Sequence, residues 1–349
     1  MKVDLDAPAL ADAGLFGLGA APLDAAVVVI PAPFQATTSY RRGTRGGPAA
    51  VLEASLQVDL PDRDFGAALQ RGVAMLPLEE CPIEAWDLEV EDDGLGVIRA
   101  WSEGSPPDPA AIARVNAAGV RVNDWIEARA GEILARGAIP AVLGGDHSTP
   151  FGAIRAVARR HPGLGVLHID AHADLREAYE GFTWSHASIF FNVLEQIPEI
   201  GQLTQVGIRD FGLSEQAIIL HNTKVRTFFD ADIAGDIADG EPWRRVAERI
   251  VATLPQKVYV SFDIDGLEPA LCPSTGTPVP GGLSWHQMSL LLRTLAGSGR
   301  QIVGFDLCEV APGPGDIDAI VGARVLHKLA GWAIATQPGF DAHGAGGLG

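Results

Sequence analysis

From about residue 139 onward the chain alternates short apolar runs with amphipathic helical patterns. Strands are expected over 140–143, 164–169, 203–207, 224–228, 257–262 and 302–306. Helices are expected over 149–160, near 186–196, and over 242–253, 284–296 and 316–335. An earlier run, Ala26-Val27-Val28-Val29-Ile30, reads as a further buried strand that ends in Pro31-Ala32-Pro33-Phe34. The runs are continuously apolar, as parallel strands covered on both faces are. Strict alternation of strand and helix leaves one economical packing, a mainly parallel sheet with helices on both sides. The expected fold class is therefore α/β, a three-layer α/β/α sandwich. The 349 residues exceed the common domain size, yet sheets of this width form one domain. The expected organisation is an N-terminal arm over 1–25, one domain over 26–340, and a glycine-rich flexible tail over 341–349. The arm is expected to be irregular and to pack on a neighbouring subunit or a pocket rim.

Between the first strand and the alternating region lie three other stretches. Tyr40 to Pro48 is a glycine-rich loop before a helix from about Ala49, and its spacing fits no phosphate-binding loop. Residues 76–108 are acidic and rich in proline and glycine, and read as a surface insertion. Pro109 to Arg136 carries Ile112, Val115, Val122, Trp125, Ile126, Ile133 and Leu134 at helical spacing.

Ligands of open α/β sheets bind past the carboxyl ends of the strands. There the chain places Gly144-Gly145-Asp146-His147-Ser148, Asp170-Ala171-His172-Ala173-Asp174 and Ser261-Phe262-Asp263-Ile264-Asp265. In extended backbone alternate side chains point the same way. Asp170, His172 and Asp174 can thus converge, and so can Asp263 and Asp265. With His147 this makes four carboxylates and two imidazoles. One small ion with an open position cannot use them all, whereas two ions sharing carboxylates can. Oxygen and imidazole donors without thiolate favour Mn²⁺, Ni²⁺, Co²⁺ or Fe²⁺ over structural zinc. Two such ions acidify a water between them, which implies hydrolysis.

The three segments, in this order, resemble the signatures of the ureohydrolases, the arginase and agmatinase superfamily, and the resemblance runs from about Val27 to Leu329. It implies an arginase-like fold and a reaction that releases urea from a guanidino group. It also implies one ion on His147, Asp170, Asp174 and Asp263, and a second on His172, Asp170, Asp263 and Asp265, with Asp170 and Asp263 bridging. His186, in Trp184-Ser185-His186-Ala187-Ser188, resembles the family's proton shuttle, with Ala187 and Ser188 replacing the usual Gly and Thr. Glu309 resembles the glutamate that accepts hydrogen bonds from the guanidinium. Asp146 is expected to orient a metal histidine from behind. Glu268 stands where the family usually has aspartate and is not expected to be a ligand. His186, Glu309 and Asp170 are thus the expected catalytic residues, and Glu309, His186 and Trp184 the expected substrate contacts.

For the substrate the sequence offers weaker guidance. No counterpart of the arginase loop that binds an amino acid is evident, so arginine is disfavoured. Phe34, Tyr40, Phe182, Trp184, Phe190 and Phe191 are expected near the mouth, where aromatic faces suit a compact cation. The leading expectation is a small guanidino compound: guanidine, an alkylguanidine, or a biguanide such as metformin. Agmatine and guanidinobutyrate are the alternatives, and a non-catalytic partner subunit is a third reading. An excess of acidic residues, 44 against 26 basic for a net charge of −18, argues against nucleic acid or an anionic membrane as partner. Cys81, Cys272 and Cys308 form no disulfide framework, Met1 to Leu10 resembles no secretory signal, and no run is long enough to span a bilayer, so a cytoplasmic location is expected. A homo-oligomer, trimeric or hexameric, is expected, or a hetero-oligomer with a paralogous subunit.

Overall fold

The computed structural model describes Ala9 and residues 12–340. Eight strands form one sheet: β1 (Val27–Ala32), β2 (Val73–Met75), β3 (Ile139–Gly144), β4 (Leu164–Ile169), β5 (Ile200–Ile208), β6 (Val225–Phe229), β7 (Lys257–Phe262) and β8 (Gln301–Leu307). Their order is β2-β1-β3-β8-β7-β4-β5-β6, and every pairing is parallel. The pleat sorts the strand residues into two cores. Val27, Val29, Leu143, Leu167, Val260 and Phe305 face one side. Val28, Ile30, Val142, Val166 and Tyr259 face the other. Alternate residues serve opposite cores, which is why these strands lack polar alternation.

Helices cover both faces. On the first side lie α1 (Gly47–Ser55), α8 (Trp243–Ala252), α9 (Trp285–Gly297) and α10 (Ile317–Ala335), through residues such as Val51, Val246, Leu291 and Leu326. On the second lie α2 (Ile83–Ser102), α3 (Pro109–Ala135), α4 (Phe151–Arg160) and α5 (Ile189–Gln196), through residues such as Val90, Val122, Phe151 and Val193. This is the expected three-layer sandwich. Two further helices, α6 (Leu213–His221) and α7 (Asp230–Ala238), flank β6 at one edge. Neither helix was expected: each is only nine residues long, and α6 buries no apolar residue completely.

The stretch read as a surface insertion is largely α2, a 20-residue helix packed on α3. Its buried stripe is narrow, Ile83, Val90, Gly94 and Val97, and acidic residues fill much of the rest. Three of those acids are paired: Asp93 with Arg114, Glu89 with Arg121, and Glu91 with Arg42 and Arg45. Gly94 has a steric reason, because a Cβ there would sit 2.5 Å from the Ala36 carbonyl oxygen. The acidic, glycine-bearing composition thus hides a helix that supports the loop after β1. In the expected arm, Leu15, Phe16 and Leu18 are buried in the chain's own core, and the Phe16 N–H donates to Ser55 Oγ at 2.9 Å. Residues 1–8, 10 and 11 of the arm, and the expected tail, lie outside the described residues.

Candidate active site

Four neighbouring central strands, β3, β8, β7 and β4, end side by side although they are distant in sequence. Their carboxyl ends deliver His147, Glu309, Asp263 and Asp170 to one place. His147 Nδ1 lies 2.9 Å from Asp170 Oδ2, 3.2 Å from Asp174 Oδ2 and 3.3 Å from Asp263 Oδ2. His172 Nδ1 lies 3.1 Å from Asp265 Oδ2 and 3.5 Å from Asp170 Oδ1. Asp170 therefore faces both groups, one oxygen toward each. Asp263 joins the first group through Oδ2, while its Oδ1 accepts the Asp265 N–H at 2.8 Å. All six residues expected as metal ligands converge.

Electrostatics test whether cations fit. Without one, burial and then the neighbouring Asp170 push Asp174 up to about 7. Burial, followed by Asp265 and Asp170, holds Asp263 well above the ordinary carboxylate range. Burial opposes protonation of His147 and His172, yet the surrounding carboxylates raise both well above the usual imidazole value. These carboxylates recruit protons because no lysine or arginine pairs with them. Divalent cations would play that part better, and the oxygen and imidazole donors suit them. Asp174 and Glu309 also hold left-handed backbone, with φ of 54° and 62°. Such conformations cost on the order of 1–3 kcal/mol each and persist where the surroundings impose them.

Glu309 is 6% exposed, and its Oε1 accepts the His147 N–H at 2.9 Å. Burial, with help from Asp146, raises its pKa well above the usual range. Its Oε2 stands opposite Gly276, where a Cβ would come to 3.4 Å. A cationic partner at Oε2 would offset the cost of burying this charge.

His186 opens the short 3₁₀ turn before α5, with Ser185 as its cap. Its Nε2 lies 3.5 Å from Ser39 Oγ, and its backbone N–H donates to Thr37 Oγ1 at 3.3 Å. Burial lowers its pKa below the ordinary imidazole value despite the opposing pull of Asp146. Against expectation, Asp146 makes no hydrogen bond to a metal-site histidine ring. It accepts from Thr37 Oγ1 at 2.7 Å and from Ser148, so it fastens the loop after β1 to the site. The His147 ring is held from behind by Ser261, whose Oγ lies 3.0 Å from Nε2 and donates to Asp306 Oδ1 at 3.0 Å. Neither Asp306 nor His168 was singled out in the sequence. His168 Nε2 lies 2.8 Å from Asp170 Oδ2. Carrying the every-second-residue rule one step back from Asp170 would have found it. Glu268 is exposed and holds its loop only through backbone contacts with Leu283 and Leu271.

Above these groups opens a cavity of about 350 Å³, into which His172, Asp174 and His186 face. Tyr40, Arg41, Arg176, Tyr179, Asp210 and Glu215 also line it. Of the six aromatic residues expected near the mouth, Tyr40 alone is in this lining, where Tyr179 joins it. Phe34, Phe182 and Phe190 are fully buried in the core. Phe191 lines a separate groove beside α6. Trp184, expected to touch substrate, lies against Phe151 at 4.8 Å between ring centroids and against Gly119, where a Cβ would meet the Trp184 Cβ at 2.7 Å. The turn at Ser185 sends successive side chains in opposite directions, and Trp184 takes the one toward α3 and α4.

The arginase family model matches residues 25–331. The N(1)-aminopropylagmatine ureohydrolase of Synechocystis is 31% identical over 313 residues, covering 88% of this chain and 89% of that protein. The guanidinobutyrase of Pseudomonas aeruginosa is 30% identical over 316 residues, covering 88% and 85%. Among solved structures, the proclavaminate amidinohydrolase of Streptomyces clavuligerus superposes with a TM-score of 0.66 at 27% identity, covering 89% of this chain and 92% of that one. Among the described residues no helix is long and apolar enough to cross a membrane.

Proposed function

Since the chain belongs to the arginase family and is a ureohydrolase, cleaving a C–N bond of a guanidino compound, we propose that its substrate is a small guanidino compound without a distal ammonium: guanidine, an alkylguanidine or a biguanide. Two divalent ions, Mn²⁺ or Ni²⁺, are assigned to the clusters. His147, Asp170, Asp174 and Asp263 would hold one, and His172, Asp170, Asp263 and Asp265 the other. When bound, such a pair lowers the pKa of a water and so supplies a nucleophile at neutral pH. Glu309 accepts two N–H groups of the planar guanidinium and sets the carbon in place. His186, neutral at rest, takes up a proton and delivers it to the departing amine, which leaves poorly as an anion. The balance is water plus guanidinium in, urea plus an ammonium out, or the alkylurea equivalent.

The rim charges carry the choice of substrate. Of the two acids that line the cavity besides the metal-ligand candidate Asp174, Glu215 is 2% exposed and engaged by Arg176 and by the N–H groups of Leu175 and Gly212. Arg41 adds a cation to the same lining. That leaves Asp210 as the one uncommitted carboxylate for a distant ammonium, a poor match to a polyamine. Agmatine is the second reading, favoured by Asp210 and by relatives named agmatinase, such as that of Bacillus anthracis at 31% identity. Guanidinobutyrate is the third, with Arg41 as its carboxylate partner. Urea and amine release should be measured across guanidine, methylguanidines, metformin, agmatine, guanidinobutyrate and arginine, after loading with each metal. Highest kcat/KM on a short guanidine or biguanide is expected. Agmatine as the best substrate would overturn the choice of substrate and leave the reaction class standing.

A further inference from the structure

Behind the proposed metal ligands lies a buried chain of polar groups that the reaction does not use directly. It crosses three adjacent strands: Thr227 on β6, Gln205 on β5, and His168 on β4. Gln205, His168 and Asp170 are each 0% exposed. The direction of every hydrogen bond follows from its neighbours. Thr227 Oγ1 lies 2.8 Å from Gln205 Oε1, which can only accept, so the hydroxyl donates. Gln205 Nε2 donates to the Ala173 carbonyl at 2.7 Å, which fixes the amide flip independently. Its second hydrogen is left for His168 Nδ1 at 3.1 Å. Nδ1 must then be the acceptor, so the ring proton sits on Nε2. From there it is donated to Asp170 Oδ2 at 2.8 Å. Phe190, 4.0 Å from the His168 ring between centroids, closes the side of the relay to water.

The other oxygen, Asp170 Oδ1, accepts the His172 N–H at 2.6 Å. A carboxylate offers about two lone-pair directions on each oxygen. With one direction on each oxygen committed to the protein, one remains on each. Because Oδ2 faces His147 and Oδ1 faces His172, Asp170 is set to offer one oxygen to each of two ions.

We propose that His168 is a positioning residue: held in its Nε2–H tautomer by Gln205 and Thr227, it fixes Asp170 as a bridge between two metal ions. The inference rests on the metal reading given above. Partners behind a metal ligand typically contribute about 10–100-fold in metal affinity. Metal-free wild type and variants should be titrated with Mn²⁺ and, separately, Ni²⁺ by calorimetry, with the stoichiometry checked by elemental analysis. His168→Leu removes the donor and should weaken the binding of at least one of the two ions by about 10–100-fold. His168→Gln returns an amide donor to Asp170 and should recover most of that loss. Gln205→Glu keeps the shape of Gln205 but reverses the polarity at Nδ1, and should weaken binding more than Gln205→Met. This second pair decides the matter where His168→Leu fails to fold. The relay is overturned if His168→Leu binds both ions like wild type, if His168→Gln is as weak as His168→Leu, or if Gln205→Glu binds no worse than Gln205→Met. Wild type binding fewer than two ions overturns the two-metal reading itself, and the relay with it.

Discussion

The floor of the site and its rim are built on opposite principles. The floor is strand ends: Asp170, Asp263 and Glu309 are nearly inaccessible, and each has a backbone or side-chain partner behind it. The rim is loop: Tyr40 is 71% exposed, Arg41 touches the Pro273 carbonyl and the Tyr40 ring, and Asp210 is exposed. Groups in the floor have no room to differ, and their chemistry is set by the sheet. Groups at the rim can change without disturbing the core, and the substrate proposal places the choice there. If this division is right, floor substitutions alter metal or turnover, and rim substitutions alter only the order of preference among substrates.

The largest effect is expected from Asp263→Ala. It removes the carboxylate assigned to both ions, so metal content should fall and activity should drop to background. Elemental analysis showing full metal in a folded Asp263→Ala protein would break the floor half of the comparison. Next comes Glu309→Gln, which keeps the shape and the contact with the His147 N–H side of the site while removing a charge. A charge-assisted bond is worth about 1.5–3 kcal/mol, so kcat/KM should fall about tenfold or more. Metal content should not change. Wild-type kinetics in that variant would exclude a guanidinium contact.

Removing metal sharpens the comparison through pH. In the metal-free protein Asp174 and Asp263 have raised pKa values, and His147 and His172 are also raised. Each therefore holds more protons folded than unfolded at intermediate pH. Stability then falls as pH rises, from the ordinary carboxylate value of about 4 through the Asp174 value of about 7 and beyond for the histidines. Thermal melts with a chelator should show Tm declining between pH 5 and 8, and added Mn²⁺ should flatten that slope. A metal-free Tm that rises over the same interval would contradict the floor electrostatics.

Between floor and rim stands Asp87, on the helix that the sequence reading mistook for an insertion. It is fully buried and accepts the Gln35 N–H at 2.8 Å and Arg45 Nη1 at 2.9 Å. Burial raises its pKa to about 6. Asp87→Ala leaves Arg45 only its pair with Glu91, strands the Gln35 N–H, and frees the loop carrying Thr37, Ser39 and Arg41. Breaking such a buried pair costs about 3–5 kcal/mol, the lower end applying here because Arg45 keeps some solvent. Denaturant melts should show that loss, and KM should rise several-fold while metal content holds. Unchanged KM would mean the rim loop needs no such anchor.

What was legible in the sequence follows the same line. Floor residues announce themselves by spacing: Asp170, His172 and Asp174 were read as convergent on a two-residue period, and they do converge, although β4 ends at Ile169 and Asp174 reaches the site through left-handed backbone. His168 obeys that period and was missed only because a histidine inside an apolar strand looks like core. The rim has no period. Loop backbone decides where Trp184 or Phe182 points, and both turned into the core. α2 was hidden for a related reason: its buried stripe has one residue per turn, but two of the five are Asp87 and Gly94, so the apolar side chains Ile83, Val90 and Val97 are too sparse to stand out among its acids.

The smallest effect, and the most direct probe of the rim, is expected from Arg41→Ala. Arg41 is exposed, so its repulsion of a distal ammonium is screened and worth about 0.2–1 kcal/mol, up to about fivefold. Removing it should raise kcat/KM for agmatine by that modest factor and lower it for guanidinobutyrate. Guanidine and metformin, which do not extend to it, should be unaffected. The test separates charge from space, because an alanine that merely widened the mouth would help both long substrates alike. Repeating it at high salt should erase the difference, since screening acts on the charge and not on the opening. Equal gains for agmatine and guanidinobutyrate, at low and high salt, would show that the rim selects by size and that the charges around Arg41 are incidental.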